Sequence, residues 1–270
     1  MTMITLTLKE QPNVPLEAES IAPDVMQPLA HDALRALPIY LGKRQCRLED
    51  FFAIEGEASD ELEIRGDAAK VKWIGRGMTR GRIRIVGNAG MHLGAYMKGG
   101  AIEVTGNASD WLGAEMTGGF IRVRGNAGSQ VGSAYRGSLN GMKEGTILIG
   151  GSAGMEVGMR MRRGIIVVAG PVRDFAGLQM KGGTIFLLGG AELRTGAWMA
   201  RGTIVSMKPL PLLPTFARAC VYQPTFLRVY AKHLETLGIS LPGNGVYQRF
   251  VGDASVPGKG EILVAQPQAT

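Results

Sequence analysis

Apolar and polar residues alternate in a short segment that recurs through the middle of the chain with a period of 19 residues. Each complete copy has branched aliphatic side chains at its second and fourth positions and glycine at its sixth. The copies begin at Arg82, Ala101, Phe120, Thr146, Ile165, Thr184 and, cut short, Thr203. This alternation predicts a strand with one buried face. A period near 20 with glycine at fixed offsets predicts a solenoid.

Further glycines stand at the thirteenth and nineteenth positions, so each copy has three corners. The one irregular step, from Phe120 to Thr146, is 26 residues and contains a seven-residue insertion between Gly132 and Met142. Three corners per 19 residues predict a triangular coil whose strands pair with their equivalents one coil later. The predicted fold class is therefore all-β: a single-stranded right-handed parallel β-helix, a solenoid of about 19-residue coils, with an N-terminal cap and a C-terminal extension containing a helix.

The predicted β-helix spans residues 61–207, because a degenerate earlier copy begins at Glu61. Residues 1–60 are expected to cap one end, since a solenoid end exposes unpaired strands. Residues 208–270 are expected to form the C-terminal extension, with an amphipathic helix from about Pro224 to a stop at Gly238. Its apolar face comprises Leu227, Tyr230, Leu234 and Leu237.

The outward face of the first strand changes character along the repeat. In the early copies it carries Arg82, Arg84, Glu103, Arg122 and Arg124. In the late copies it becomes Leu148, Ile165, Val167, Phe186, Leu188 and Val205. An apolar stripe of this length is not left in water on a soluble monomer. We expect the chain's own C-terminal helix to cover it, with a partner subunit as the alternative, and an interface beside it.

Composition excludes several classes of protein. A hydrophobic content of 45% in 270 residues indicates a folded chain. The net charge of +7 is spread along the sequence without interleaved aromatics, so nucleic acid is not an expected partner. Cys46 and Cys220 are far apart and outside the repeat, which indicates two reduced thiols in a cytoplasmic protein. No signal peptide or long apolar stretch is recognised, so we expect a soluble protein without membrane contact.

No catalytic, cofactor-binding or metal-binding residue is predicted in this chain. His31 and His233 lie outside the repeat, and His92, grouped with Asp110 and Gln130, is interpreted as a tolerant surface position. Residues 75–81 approach a dinucleotide fingerprint but lead into a strand, so the helix that would hold a pyrophosphate is missing. The methionines at position sixteen are interpreted as a stack inside the fold. They are Met97, Met116, Met142, Met161, Met180 and Met199.

The Gly-Asn-Ala-Gly strand ends, at residues 87–90 and 125–128, and the glycine-rich corners after each methionine resemble known proteins. They resemble the C-terminal domain of the large subunit of glutamate synthase. They are more similar to the C subunit of formylmethanofuran dehydrogenase and of its bacterial counterpart, the formyltransferase/hydrolase complex. Residues 16–24, 48–52 and 258–262 resemble the leader and the ending of that C subunit, and these segments distinguish the two families.

The resemblance implies a structural subunit of an enzyme complex in one-carbon metabolism and formaldehyde oxidation, with no catalytic activity of its own. The bacterial complex transfers a formyl group from formyl-tetrahydromethanopterin to a methanofuran-type carrier and releases formate. The implied partners are a formyltransferase subunit, a metal-dependent amidohydrolase-like subunit and a further pterin-enzyme-like subunit, in a cytoplasmic hetero-oligomer. No cofactor is implied in this chain itself, and the archaeal complex is the related alternative.

Methanofuran carriers can bear acidic glutamyl tails, so the basic early face, Arg82, Arg84, Arg122 and Arg124, is expected to help retain such a tail. The alternative function is a free-standing glutamate synthase-like domain that serves an ammonia-transfer enzyme. A sugar-degrading enzyme is disfavoured, because clustered carboxylates and aromatics on the outer face, and a secretion signal, are not recognised in the sequence.

Overall fold

A computed structural model describes residues 3–241 and 244–267. Within these residues the strands form one 13-stranded sheet and one four-stranded sheet, and the helices are short. None of the described helices is both long enough and apolar enough to span a bilayer.

The elements before the first repeat are β1 (Ile4–Leu8), β2 (Leu16–Glu17), α1 (Pro23–Met26), α2 (His31–Arg35), β3 (Pro38–Leu41), β4 (Arg44–Arg47), α3 (Leu48–Phe51) and β5 (Phe52–Glu55). The repeats contain β6 (Glu61–Arg65), β7 (Val71–Lys72), β8 (Arg82–Val86), β9 (Ala101–Val104), β10 (Thr117–Val123), β11 (Glu144–Ile149), β12 (Ile165–Val168), β13 (Lys181–Leu187) and β14 (Arg201–Ser206). The remaining elements are β15 (Ala217–Tyr222), α4 (Leu227–Thr236), β16 (Tyr247–Gly252) and β17 (Gly260–Ala265).

The large sheet pairs each repeat strand with the same positions of the next repeat. Its order is β15-β16-β17-β14-β13-β12-β11-β10-β9-β8-β6-β1-β5. Ile83 pairs with Ile102, and Ile102 with Ile121, in parallel register. All three side chains are fully buried. Because side chains alternate across a strand, this register stacks the second and fourth positions of successive repeats on one inward face.

The prediction of a single-stranded right-handed parallel β-helix is wrong. The strands form a mixed sheet, in which β5 is antiparallel to β1 and β16 is antiparallel to both β15 and β17. A separate four-stranded sheet has the order β4-β3-β2-β7. After its first strand, each repeat consists mainly of turns and of isolated β-bridges to the next repeat, such as the bridge between Ala89 and Ala108. The edges of the parallel strands carry unpaired backbone groups, and the terminal segments supply strands that pair with them. The boundaries after residues 60 and 207 stay a prediction.

The interior contains the methionine stack that the sequence indicated. Met97, Met116, Met142, Met161, Met180 and Met199 are each 0% exposed. Gly94, three residues before Met97, has φ +63, and a Cβ there would lie 2.7 Å from Ile121 Cδ1. The thirteenth position therefore needs glycine for its backbone conformation and for the close packing of the next repeats.

Asparagine side chains connect successive turns and account for the recurring Gly-Asn-Ala motif. The Asn107 N–H donates to Asn88 Oδ1 at 2.9 Å, and the Asn126 N–H donates to Asn107 Oδ1 at 2.8 Å. The ladder ends with Ser152 N–H donating to Asn126 Oδ1 at 2.9 Å. Each bond satisfies a backbone group that a turn would leave without a partner.

The late apolar stripe is covered by the chain's own C-terminal segment, as expected. Leu148, Val167, Phe186 and Val205 form a second core with residues from α4 and the last strands, namely Leu227, Leu234, Tyr247 and Leu263. The helix begins at Leu227, three residues later than expected, because residues 225–226 form a turn. Arg122 donates to Leu237 O at the end of α4, where a cation is favourable.

Candidate functional site

Two parallel rows of large side chains run along one outer side of the repeats. In each row the residues are non-glycine but have left-handed backbone conformations, which cost about 1 kcal/mol or more each. The first row contains Trp73, His92, Trp111, Gln130, Glu156, Phe175 and Arg194. The second contains Tyr96, Glu115, Arg160, Gln179 and Trp198. The intervening Leu93 and Ala95 are fully buried, so the turn alternates inward small or aliphatic residues with outward large ones.

The early part of these rows is an aromatic cluster. Trp73 and His92 are stacked, with ring centroids 4.1 Å apart and an interplanar angle of 10°. Trp111 stacks on Tyr135, with centroids 4.8 Å apart. The Arg76 guanidinium lies 5.3 Å from the centroid of Trp73, within range of a cation–π interaction. The rings of successive repeats therefore contact one another and are joined by a ring from the insertion.

The cluster anchors the segment that contains the insertion, residues 133–141. The Tyr135 hydroxyl lies 2.8 Å from His92 Nδ1, and the Tyr135 N–H donates to Glu115 Oε1 at 2.9 Å. Further along, Arg160 donates to Ser138 O at 2.5 Å and Lys181 donates to Leu139 O at 2.7 Å. The segment that contains the insertion is therefore hydrogen-bonded to the repeats that precede it and to those that follow it.

Burial sets the protonation state of the central pair. Burial, assisted by the positive charge of Lys72, lowers the pKa of His92 to about 4, although Asp110 acts in the opposite direction. Burial also raises the pKa of Tyr135, and Tyr96 and Glu115 add to that rise. At neutral pH the imidazole is consequently neutral and the phenol protonated, so the hydroxyl can donate to Nδ1.

The other residues that the sequence offered as candidates for catalysis or metal binding lie on separate elements of the structure. His31 lies in α2 and His233 in α4, so the three histidines do not form one site. Cys46 is buried and Cys220 exposed, and both are free thiols. Within residues 3–241 and 244–267, no group of three or more His, Cys, Asp or Glu side chains could hold a metal ion. Residues 75–81 lead directly into β8, as the sequence indicated.

The basic early face is not one continuous cationic patch. Arg84 forms an ion pair with Glu63 at 2.9 Å, and this carboxylate also pairs with Arg65. These hydrogen bonds lower the pKa of Glu63 despite its burial. Arg122 turns toward α4, while Arg82 and Arg124 are exposed. The retention of an acidic carrier tail by this face stays a prediction.

The interpretation of His92 as a tolerant surface position is wrong. Asp110 does not share its position, and its backbone oxygen instead accepts a hydrogen bond from the His92 N–H at 3.0 Å. The residues aligned with His92 are Trp73 and Trp111, which stand 19 residues before and after it, and Gln130. That spacing was the available signal for the cluster. The contribution of Tyr135 had no periodic signal, because it belongs to the insertion.

Comparison with known proteins gives a family and several relatives. The model of the GXGXG motif family matches residues 61–209. The C subunit of the tungsten-containing formylmethanofuran dehydrogenase 2 of Methanothermobacter thermautotrophicus is 43% identical over 100 residues, which are 35% of this chain and 37% of that protein. The C subunit of the molybdenum-containing formylmethanofuran dehydrogenase 1 of the same organism is 43% identical over 91 residues, 33% of this chain and 23% of that protein. The similarity thus spans well under half the length of these curated relatives.

One solved structure is similar over almost the whole chain. It is a chain in the X-ray crystal structure of the formyltransferase/hydrolase complex (FhcABCD) from Methylorubrum extorquens in complex with methylofuran. The TM-score is 0.91 at 34% sequence identity, and the match covers 97% of this chain and 100% of that chain.

Proposed function

The chain belongs to the GXGXG motif family and is a homologue of the C subunit of formylmethanofuran dehydrogenase, and from that premise we propose that it is a non-catalytic structural subunit of a formyltransferase/hydrolase complex. The observation that carries this proposal is the similarity, at 34% identity, to the whole length of a chain from such a complex. The glycine repeat alone would not distinguish this role from that of a glutamate synthase-like domain.

The proposed complex transfers a formyl group from formyl-tetrahydromethanopterin to a methanofuran-type carrier and then hydrolyses the carrier's formamide to formate. Its other subunits would be a formyltransferase, a metal-dependent amidohydrolase-like protein and a further pterin-enzyme-like protein. The transfer and the hydrolysis are assigned to those subunits. We place the complex in the cytoplasm, where free thiols such as Cys46 and Cys220 persist.

In such a complex this chain would act as a rigid support for the other subunits. Support for that role comes from the parallel ladder from β6 to β14, with its in-register pairing, and from the asparagine ladder beside it. Such a stack resists local opening, because most of its backbone groups are bonded between successive repeats. Within the aromatic cluster, His92 is also bonded to Tyr135 of the insertion.

The test is purification of the tagged chain from its host at natural abundance, with mass spectrometry of the bound proteins. We expect a formyltransferase and an amidohydrolase-like protein to copurify. Formate release from formyl-tetrahydromethanopterin should fall when the gene is deleted and return when it is restored. Recovery of the chain alone, or bound to a glutaminase, would remove the formyl-transfer proposal.

A further inference from the structure

The tip of the insertion presents an apolar side chain on a fixed backbone. Leu139 is 68% exposed. Its own carbonyl accepts from Lys181, the preceding carbonyl of Ser138 accepts from Arg160, and Asn140 Oδ1 accepts from Arg162 at 3.3 Å. A side chain held in this way loses little further backbone entropy when a partner binds it, which favours affinity.

A second exposed anchor lies on the same side of the molecule. Arg160, Gln179 and Trp198 occupy one row in successive repeats, and Arg160 Nε donates to Gln179 Oε1 at 2.7 Å. Two steps of about 4.8 Å place Trp198 about 10 Å along the row from Arg160. Trp198 is 50% exposed and has φ 56. Its left-handed backbone is common to the whole row, but half of its aromatic surface is left in water, and aromatic residues are enriched at protein interfaces.

The side chains around Leu139 are basic, whereas at Trp198 the buried Asp253 carboxylate accepts from the backbone N–H. Arg160, Arg162 and Lys181 donate to carbonyl or amide oxygens, which do not cancel their charge. Arg136, in the same insertion, is exposed. Tryptophan and arginine are also the residues most often found at the centres of protein interfaces.

We propose that these residues form a docking surface for a different protein subunit. The loop surface consists of Arg136, Leu139, Arg162, Lys181 and Trp198. The partner has an acidic surface with apolar recesses that receive Leu139 and Trp198. A second copy of this chain fits less well, because its net charge of +7 would place like charges against each other. The proposal rests on the proposed function, since the partner is another subunit of that complex.

The experiment is coexpression of the full chain with the other subunits of the host's complex, followed by titration of the purified chain against those subunits. Leu139→Asp should weaken binding by about 100-fold, because it places a charge in an apolar recess. The double variant Arg136→Glu and Arg162→Glu should weaken it by about 10-fold at low salt and by less at high salt. Val14→Asp is the control, because Val14 is 47% exposed and its neighbour Asn13 contacts Lys70 in the first repeat, outside the loop surface. It should bind like the wild type.

The outcomes separate the two proposals. If the wild type does not assemble with these subunits, both proposals fail. If the wild type assembles and Leu139→Asp binds equally tightly, the loop surface is refuted and the proposed function remains. A wild-type homodimer that Leu139→Asp disrupts, without loss of assembly with the other subunits, would also refute it. Hydrogen exchange of residues 82–206 should be the same in all variants, which shows that lost binding is not lost folding.

Discussion

Acid should destabilise this protein through His92. Its ring stacks on Trp73 and is bonded to Tyr135, and burial lowers its pKa from 6.5 to about 4. In the unfolded chain the imidazole returns to its ordinary pKa of about 6.5. As the pH falls, the unfolded chain therefore takes up the proton first. The contribution of His92 to stability is complete above about pH 6.5 and is lost as the pH falls toward 4.

The size of the effect follows from the two pKa values. Each pKa unit corresponds to about 1.4 kcal/mol, so the full difference sets an upper limit of about 3 kcal/mol. The ring is only partly buried, and solvent screens part of its charge. The Tyr135 hydroxyl can also accept a hydrogen bond from the protonated ring. We therefore expect a loss of about 1 to 2 kcal/mol between about pH 7 and pH 4.

The assay is urea denaturation across this pH range for the wild type and for His92→Gln. Glutamine is the matched replacement, because Gln130 occupies the same repeat position with φ 59, against φ 64 for His92. Carboxylates with lowered pKa, such as Glu63 and Asp253, also lose stability in acid, but they are common to both proteins and cancel in the difference. Equal pH dependence in the wild type and His92→Gln would refute the reasoning.

Two further substitutions test the packing by urea denaturation. Gly94→Ala should lower the free energy of unfolding by about 2 to 4 kcal/mol, since its Cβ would meet Ile121 and its φ is +63. Gly77→Ala, with φ +66 and open space around it, should lower it by only about 1 kcal/mol. Equal losses would contradict the close-packing argument. Phe186→Ala should lower the free energy of unfolding by about 3 to 5 kcal/mol and expose α4 to hydrogen exchange, because Phe186 is fully buried beneath the helix. Phe226 is 38% exposed, so Phe226→Ala should lower it by less than about 1 kcal/mol. Unchanged exchange in α4 would show that the stripe does not hold the helix.

Some features of the fold could be predicted because their causes are local. The alternation in segments such as Arg82–Val86 was sufficient to place strands and their buried faces. The buried methionines follow from a fixed offset in the repeat. The cover over Leu148 and Phe186 could be expected from the length of the apolar stripe and from the amphipathic pattern at Leu227 and Leu234. In each case the pattern reports burial, which the residue type largely decides.

Features that depend on pairing between distant segments could not be predicted. The alternation within a strand does not specify which strand joins a free edge. The β-helix prediction therefore missed the antiparallel additions of β5, β15 and β16 to one mixed sheet. The aromatic cluster had partial evidence in the 19-residue spacing of Trp73, His92 and Trp111. The offset of His92 was assigned wrongly, so that evidence was not used.

The sequence by itself determined the repeat, the strands it contains and the side of each strand that is buried, because these depend on residues close together in the chain. Only the tertiary structure decided that Tyr135 of the insertion lies against His92 and Trp111. It also decided that Leu139 is held by Lys181 and that Asp253 accepts from the Trp198 N–H. These contacts join residues 24 to 55 positions apart, with no pattern linking them in sequence. Their closure entropy is overcome only when the stacked repeats bring both partners to the same place.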